Sequence, residues 1–348
     1  MKIFMVCAWF LIFPAGTAGL ADFIQDPERL ESLPAPDDAY YKYLKARRLK
    51  CMGDGASIKA QEMKLGKRRF RFDGHKLSAL DADSDGKLIL GILGAVKDYA
   101  PSTREALDHY MRQFEKAGVD ALLLLGDIAS TESEMTQIML HCAQKPWPVL
   151  ALIGNTEGRT AFNRAVLAAL KVAPNLVNMD LVRRVDLGGA RLVSLPGYSD
   201  RSFVHGSSGC TYKPRDVKAL DSWVAGGSGP VVLLSHGPPA GKGKGGLDWA
   251  VEAGNVGDPV MAGWMKEHKV VFGLFSHILE AGGRAINGAG KRVADGQVTS
   301  SLMLNVGSAN PLPWQLNGGK SSCGMGAIFT LDVKSGKASH RFVHLKCP

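Results

Sequence analysis

Residues 121–127 read Ala-Leu-Leu-Leu-Leu-Gly-Asp, an aliphatic run that ends abruptly in a glycine and a carboxylate. The same grammar returns three times. Leu150-Ala151-Leu152-Ile153 runs into Gly154-Asn155, and Val231 to Leu234 runs into Ser235-His236-Gly237-Pro238-Pro239. Val270 to Phe275 runs into Ser276-His277. Short uninterrupted aliphatic runs are expected of strands buried on both faces. In open α/β sheets the carboxyl ends of the strands line the ligand crevice, so four such ends predict convergence at one edge. A carboxylate, an amide oxygen and two imidazoles suit one divalent transition metal, Zn, Mn or Fe. The neighbouring glycines let the backbone turn sharply and leave room for a substrate. Singly, each residue is an ordinary structural choice, since Gly-Asp and Gly-Asn are common turn dipeptides. Repetition at four strand ends is what points to a site.

Around this core the alternation of strand and helix continues. Leu88 to Leu93 is another aliphatic run, and Ser102-x-x-Glu105 reads as a capping box. Leu107, Tyr110, Met111 and Phe114 follow at helical spacing until Gly118. Helices are predicted over 132–143 and 159–170. A hairpin is predicted where 181–186 and 191–195 flank Gly188-Gly189. Later strands are expected at 301–306 and 324–331. Strands alternating with helices predict an α/β domain over 87–348. Residues 22–86 differ: an acidic, proline-bearing stretch, a basic-aromatic helix over 40–50, and a hairpin turning at Asp73-Gly74. They read as an N-terminal extension packed on the main domain.

Composition sets outer bounds. The chain has 348 residues, 45% hydrophobic and 22% charged, with no internal repeat, which is ordinary for a globular α/β protein. Lys2, the apolar run Ile3 to Phe13, and Gly19-Leu20-Ala21 read as a signal peptide over 1–21, cleaved near Ala21. The apolar run is too short to span a bilayer, so no stable membrane span is expected after cleavage. An exported, periplasmic or secreted protein follows. Removing Lys2 lowers the formal charge from +9 to +8, an excess that favours anionic partners. In an oxidising compartment Cys51, Cys210, Cys323 and Cys347 can form two disulfides, with three pairings open, while Cys142 reads as a small buried residue. No C-x-x-C pair suggests structural zinc.

The order Gly-Asp, Gly-Asn, His, then a later His followed by Glu280-Ala281-Gly282-Gly283 resembles the calcineurin-like metallophosphoesterases over roughly 87–345. Ser235-His236-Gly237-Pro238-Pro239 and Asn305-Val306-Gly307-Ser308 strengthen it. The resemblance implies a two-sheet α/β sandwich flanked by helices. It also implies phosphoester hydrolysis at two metals bridged by an Asp and a hydroxide. Carried over by residue, the bridging Asp matches Asp127, and the second metal's ligands match Asn155, His236 and His277. The first metal's ligands do not carry over. Gly94-Ala95-Val96 stands where the family has Asp-x-His, and Leu279 stands where it has the second His of Gly-His-x-His. Thr156 replaces the His of Gly-Asn-His, for which the resemblance implies a role as general acid or transition-state donor.

Three readings are open for such a site: a mononuclear phosphoesterase, a non-catalytic binder of phosphate-bearing ligands, and a metal-free structural relative. In the first, Thr156, Lys97 and Lys242 are the candidate catalytic side chains, with the lysines supplying the missing positive charge. Gly237 and Lys244 are candidate substrate-binding positions. Gly241 to Gly246 is a candidate phosphate-cradling lid. The expected partner is a phosphorylated small molecule or an envelope component. Nucleic acid is not expected, although Lys67 to Phe72 interleaves bases with aromatics. Asp81 to Gly86 begins like a calcium loop, but Ile92 stands at its twelfth position, so it reads as an acidic turn. The oligomeric state is left open.

Overall fold

The computed structural model describes residues 19–81, 85–205 and 208–347. Most of the signal-peptide segment, including Cys7, and part of the acidic turn at 81–86 lie outside the described residues.

Two sheets face each other. The smaller has six strands in the order Lys337–His344, Met325–Asp332, Lys87–Leu93, Ala121–Leu125, Val149–Leu152, Leu176–Asn178. Its last four strands run parallel, and Met325–Asp332 is antiparallel to both of its neighbours. The larger sheet has nine strands. At its centre Ala190–Leu195, Val231–Ser235, Phe272–Phe275 and Leu302–Asn305 run parallel. The aliphatic runs read in the sequence are these parallel strands, which explains their lack of alternation: both faces are covered. Along Val231–Ser235, Val232 and Leu234 enter the core between the sheets, and Leu233 enters a second core with Trp264 and Met265. The Phe272 and Phe329 rings meet edge-on, centroids 6.2 Å apart, from opposite sheets.

The hairpin turning at Asp73-Gly74 pairs Arg68–Phe72 with Lys76–Ala79, and Gln61–Leu65 adds a third strand. Lys76–Ala79 then pairs in parallel with Arg184–Leu187, so residues 61–79 extend the larger sheet. Phe70 and Phe72 face the core, and Phe72 packs edge-on against Tyr40 and Tyr43. The rest of the extension is laced to the helices Glu132–Ala143 and Arg159–Ala169. Gln137 donates to the Ile24 carbonyl (2.8 Å), and Asn163 donates to the Arg48 carbonyl (3.0 Å).

Some local expectations change. The capping box at Ser102 is not formed, because the helix begins at Pro101 with no side-chain cap. Proline at the first helical position needs no capped N–H. Asp98 organises the turn instead, accepting from Ala100 N (2.9 Å) and Thr103 Oγ1 (2.6 Å). The hairpin at 188–189 is present, but its first strand starts at Arg184, since the Asn178 side chain holds 180–181 in a turn. Two disulfides choose among the three pairings: Cys51–Cys210 and Cys323–Cys347. Cys142 is free and buried. Among the described residues no helix is long and apolar enough to cross a membrane.

Candidate metal centre

The four strand ends meet. Asp127 and Asn155 leave the six-stranded sheet, and His236 and His277 leave the nine-stranded one. One ligand atom from each of Asp127, His236 and His277 lies within 4.8 Å of the others. His236 Nε2 is 2.8 Å from Asn155 Oδ1, 3.2 Å from Asp127 Oδ1 and 3.1 Å from His277 Nδ1. Asp127, Asn155 and His236 are buried, and His277 is partly open.

Glycine makes the approach possible. A Cβ at Gly154 would lie 2.5 Å from Asp127 N, and one at Gly126 would lie 2.6 Å from His236 Nδ1. The backbone is strained at the same place. Non-glycine residues with positive φ among those described are Ala95, Lys97, Asp127, His277 and Lys269, and the first four stand at this edge. Asp127 has φ 53° and His277 φ 67°. Each such residue costs of order 1 kcal/mol or more, and strain of this kind collects where a side chain must be aimed.

Hydrogen bonds fix what each atom presents. The Leu125 carbonyl, 2.7 Å from His236 Nδ1, can only accept, so Nδ1 carries the proton. The Asn155 amide nitrogen donates to the Phe203 carbonyl (2.6 Å), which turns Oδ1 toward His236. Thr156 donates to Asp127 Oδ1 through its backbone N–H (3.2 Å) and its hydroxyl. Beneath them the buried Glu157 carboxylate accepts the N–H groups of Ile128 and Gly154, tying together the two loops of the six-stranded sheet.

The electrostatics follow. Burial opposes ionisation of Asp127, but the His236 imidazole and the hydrogen bonds outweigh it and hold the carboxyl far below the usual range. Burial likewise opposes a charge on His236, and the Asp127 carboxylate overcomes it, raising that pKa. Burial and the neighbouring His236 press His277 down to about 3. Burial, then Asp127, pushes Glu157 up to about 7.

A divalent cation fits this donor set. His236 Nε2 faces two oxygens that can only accept, Asn155 Oδ1 and Asp127 Oδ1, so either a proton on Nε2, as its raised pKa allows, or a cation accepting the Nε2 lone pair fits between them. His277 Nδ1 adds a further nitrogen at 3.1 Å. Buried acceptors facing one another are costly unless a proton or a cation sits among them.

Positions 94, 96 and 279, where the resemblance leads one to expect the ligands of a first metal, carry no ligand side chain. A Cβ at Gly94 would overlap Ser276 Oγ, whose hydroxyl donates to the Gly307 carbonyl (2.9 Å). Val96 and Leu279 are buried apolar residues. Asp98 is occupied in the turn at Ala100 and accepts from Asn310 (2.8 Å).

Of the remaining candidates, Lys97 stands at the rim: its N–H donates to the Asp127 carbonyl (3.1 Å), its charge adds to the pressure on His277, and its ammonium lies 5.9 Å from the Trp314 ring centroid. Among the described residues, no hydrogen bond or ion pair joins Lys242 or Lys244 to the cluster. Their loop is fastened to Arg284, which donates to the Lys244 and Gly246 carbonyls, both at 2.6 Å. Gly241 N and Gly246 N donate to Asp248 and to the Gly243 carbonyl, so these two N–H groups are already committed. The space that a side chain at Gly237 would need is taken by the Tyr198 ring.

Tyr198 went unread in the sequence. Its ring lies on His277, centroids 4.1 Å apart. Asn305 did too as a working side chain: it clamps the carbonyls of Ile278 and Leu247, each at 2.9 Å. The run Asn305-Val306-Gly307-Ser308 was its visible signal.

Residues 90–281 match the calcineurin-like phosphoesterase family. The chain belongs to that family. Its members use divalent metals, which agrees with the donor set here. No curated protein matches the chain in sequence. The crystal structure of TT1561 of Thermus thermophilus is similar, at 13% identity with TM-score 0.50, over 74% of this chain and 99% of that one. A dimetal phosphatase from Danio rerio aligns at 11% identity and TM-score 0.45, over 74% of this chain and 99% of that one. At such identities the first likeness speaks for the two-sheet fold alone.

Proposed function

We propose that this calcineurin-like family member is a metal-dependent phosphoesterase with one divalent transition metal, Zn, Mn or Fe, held by Asp127, Asn155, His236 and His277. The observation carrying this reading is the convergence of donor atoms from four strand ends: His236 Nε2 lies 2.8 Å from Asn155 Oδ1, 3.2 Å from Asp127 Oδ1 and 3.1 Å from His277 Nδ1. A cation bound there would polarise a phosphoryl oxygen and acidify water. The chain's own groups then have separate tasks. Leu125 and Phe203 orient His236 and Asn155 through their carbonyls, as the partners of metal ligands commonly do. Lys97, at the rim, offers a point charge to a phosphoryl oxygen where the first metal's ligands are missing. The substrate would be a phosphomonoester or phosphodiester, of a small molecule or an envelope component. Two disulfides and a basic chain are compatible with work outside the cytoplasm.

A second reading, a non-catalytic binder of phosphate-bearing ligands, is favoured by one observation. The Thr156 hydroxyl is committed to Asp127, so it is not free to donate to a leaving group. Metal analysis of the purified chain and of His236→Ala tests the shared premise: one equivalent is expected in the parent and little in the variant. Equal metal in both would refute it. Assay on aryl phosphate mono- and diesters with Zn, Mn or Fe added separates the readings. Turnover lost in Lys97→Gln supports the enzyme, and retained affinity without turnover supports the binder.

A further inference from the structure

A cavity of about 640 Å³ opens on the outer face of the nine-stranded sheet. It lies between the helix Pro259–Glu267, the segment 239–247 and the turn 286–290, and none of Asp127, Asn155, His236 or His277 lines it. Its size is that of a small-ligand site. The floor is aliphatic: Leu247, Met265, Val270, Ile286 and Met303. Its lining residues include no aromatic side chain and no carboxylate, but they include three lysines, Lys242, Lys266 and Lys269.

Two features present these charges. Lys242 projects from the loop that Arg284 and Asp248 fasten. Lys269 follows the helix with φ 53°, a left-handed conformation that glycine adopts far more readily at a helix end. A glycine there would be unstrained; the lysine brings its side chain to the cavity.

We propose that this cavity binds a straight-chain acyl monoanion, the chain on the aliphatic floor and the carboxylate among the lysines. Lysines unopposed by lining acid select an anion. A floor without stacking rings, but with two flexible thioethers, suits a bendable chain better than a planar ring.

Calorimetric titration of the full-length, disulfide-bonded chain with decanoate tests this, with decyltrimethylammonium as the same tail bearing the opposite charge. One saturable decanoate site per chain is expected. Met303→Trp, which fills the floor, should abolish it, with the melting transition retained. The triple variant Lys242→Gln, Lys266→Gln, Lys269→Gln alters only exposed side chains and should weaken it about tenfold. That arm decides the matter if the tryptophan variant does not fold. No saturable binding, equal uptake of both head groups, or affinity unchanged in the lysine variant overturns the assignment.

Discussion

The Tyr198 ring lies against the His277 imidazole with centroids 4.1 Å apart, at an interplanar angle of 46°. His277 holds a positive φ and, among the described residues, its ring donates no hydrogen bond to a backbone carbonyl in the way that His236 does to Leu125, so the Tyr198 ring is its lateral support. Tyr198 fits there because Gly237 has no side chain. Removing the ring in Tyr198→Ala should loosen His277 and weaken metal binding about tenfold, in the range typical of residues that orient metal ligands. Competitive titration with a chelating dye reads this directly. Unchanged affinity would mean that the strained backbone alone aims His277.

The two disulfides should differ in worth. Cys51–Cys210 closes a span of 159 residues and Cys323–Cys347 one of 24. On the chain-entropy argument the longer loop is worth about 5 kcal/mol and the shorter about 3.5. Cys51→Ser should therefore lower the denaturant midpoint more than Cys323→Ser. The longer bridge also holds the segment carrying Tyr198, since Tyr198 N donates to the Cys210 carbonyl at 3.1 Å. The same variant should then weaken metal binding, and the shorter bridge's variant should not.

The parallel strands and their polar ends were legible because burial on both faces forces continuous aliphatic runs. A glycine beside Asp127, Asn155 and His236 is the mark of strand ends that crowd together. What the sequence hid were groups whose meaning depends on distant partners. Tyr198 gains its role only when the two sheets place it on His277. The commitment of Asp98 is hidden in the same way, because its neighbours in sequence do not reveal Asn310, which donates to it from 212 positions away. The lysines at 242 and 244 sit close to His236 along the chain, and yet the loop leads to Arg284. Gln61–Leu65 was missed because a half-exposed edge strand of Gln, Glu, Met and Lys carries no aliphatic signal.

Two buried histidines predict a pH dependence. Burial lowers the pKa of His141 and of His340, against the pull of Asp108 and Asp295 at 3.1 Å each. A depressed folded-state value means that the unfolded chain binds more protons, so stability is present above about pH 6.5 and is lost as pH falls through it. Glu157, raised to about 7, works in the opposite sense, so the parent curve alone mixes signs. The informative quantity is the difference: His340→Asn should lose less stability than the parent between pH 7.5 and 5.5 in chemical denaturation. Parallel curves would place His340's titration outside the folding balance.

Restoring the missing first-metal carboxylate should fail. The ideal Cβ at position 94 overlaps Ser276 Oγ, and that serine is buried and held by the Gly307 carbonyl. Gly94→Asp therefore forces a side chain and a charge into filled space, at an expected cost of about 1–3 kcal/mol for the overlap alone. With Val96 and Leu279 unchanged, the new carboxylate has no imidazole to share a metal with. The expected result is a lower melting midpoint with metal content still at one equivalent per chain. A second equivalent bound by Gly94→Asp would show instead that Ser276 can give way, and that the first site was lost through its ligands alone and not through its space.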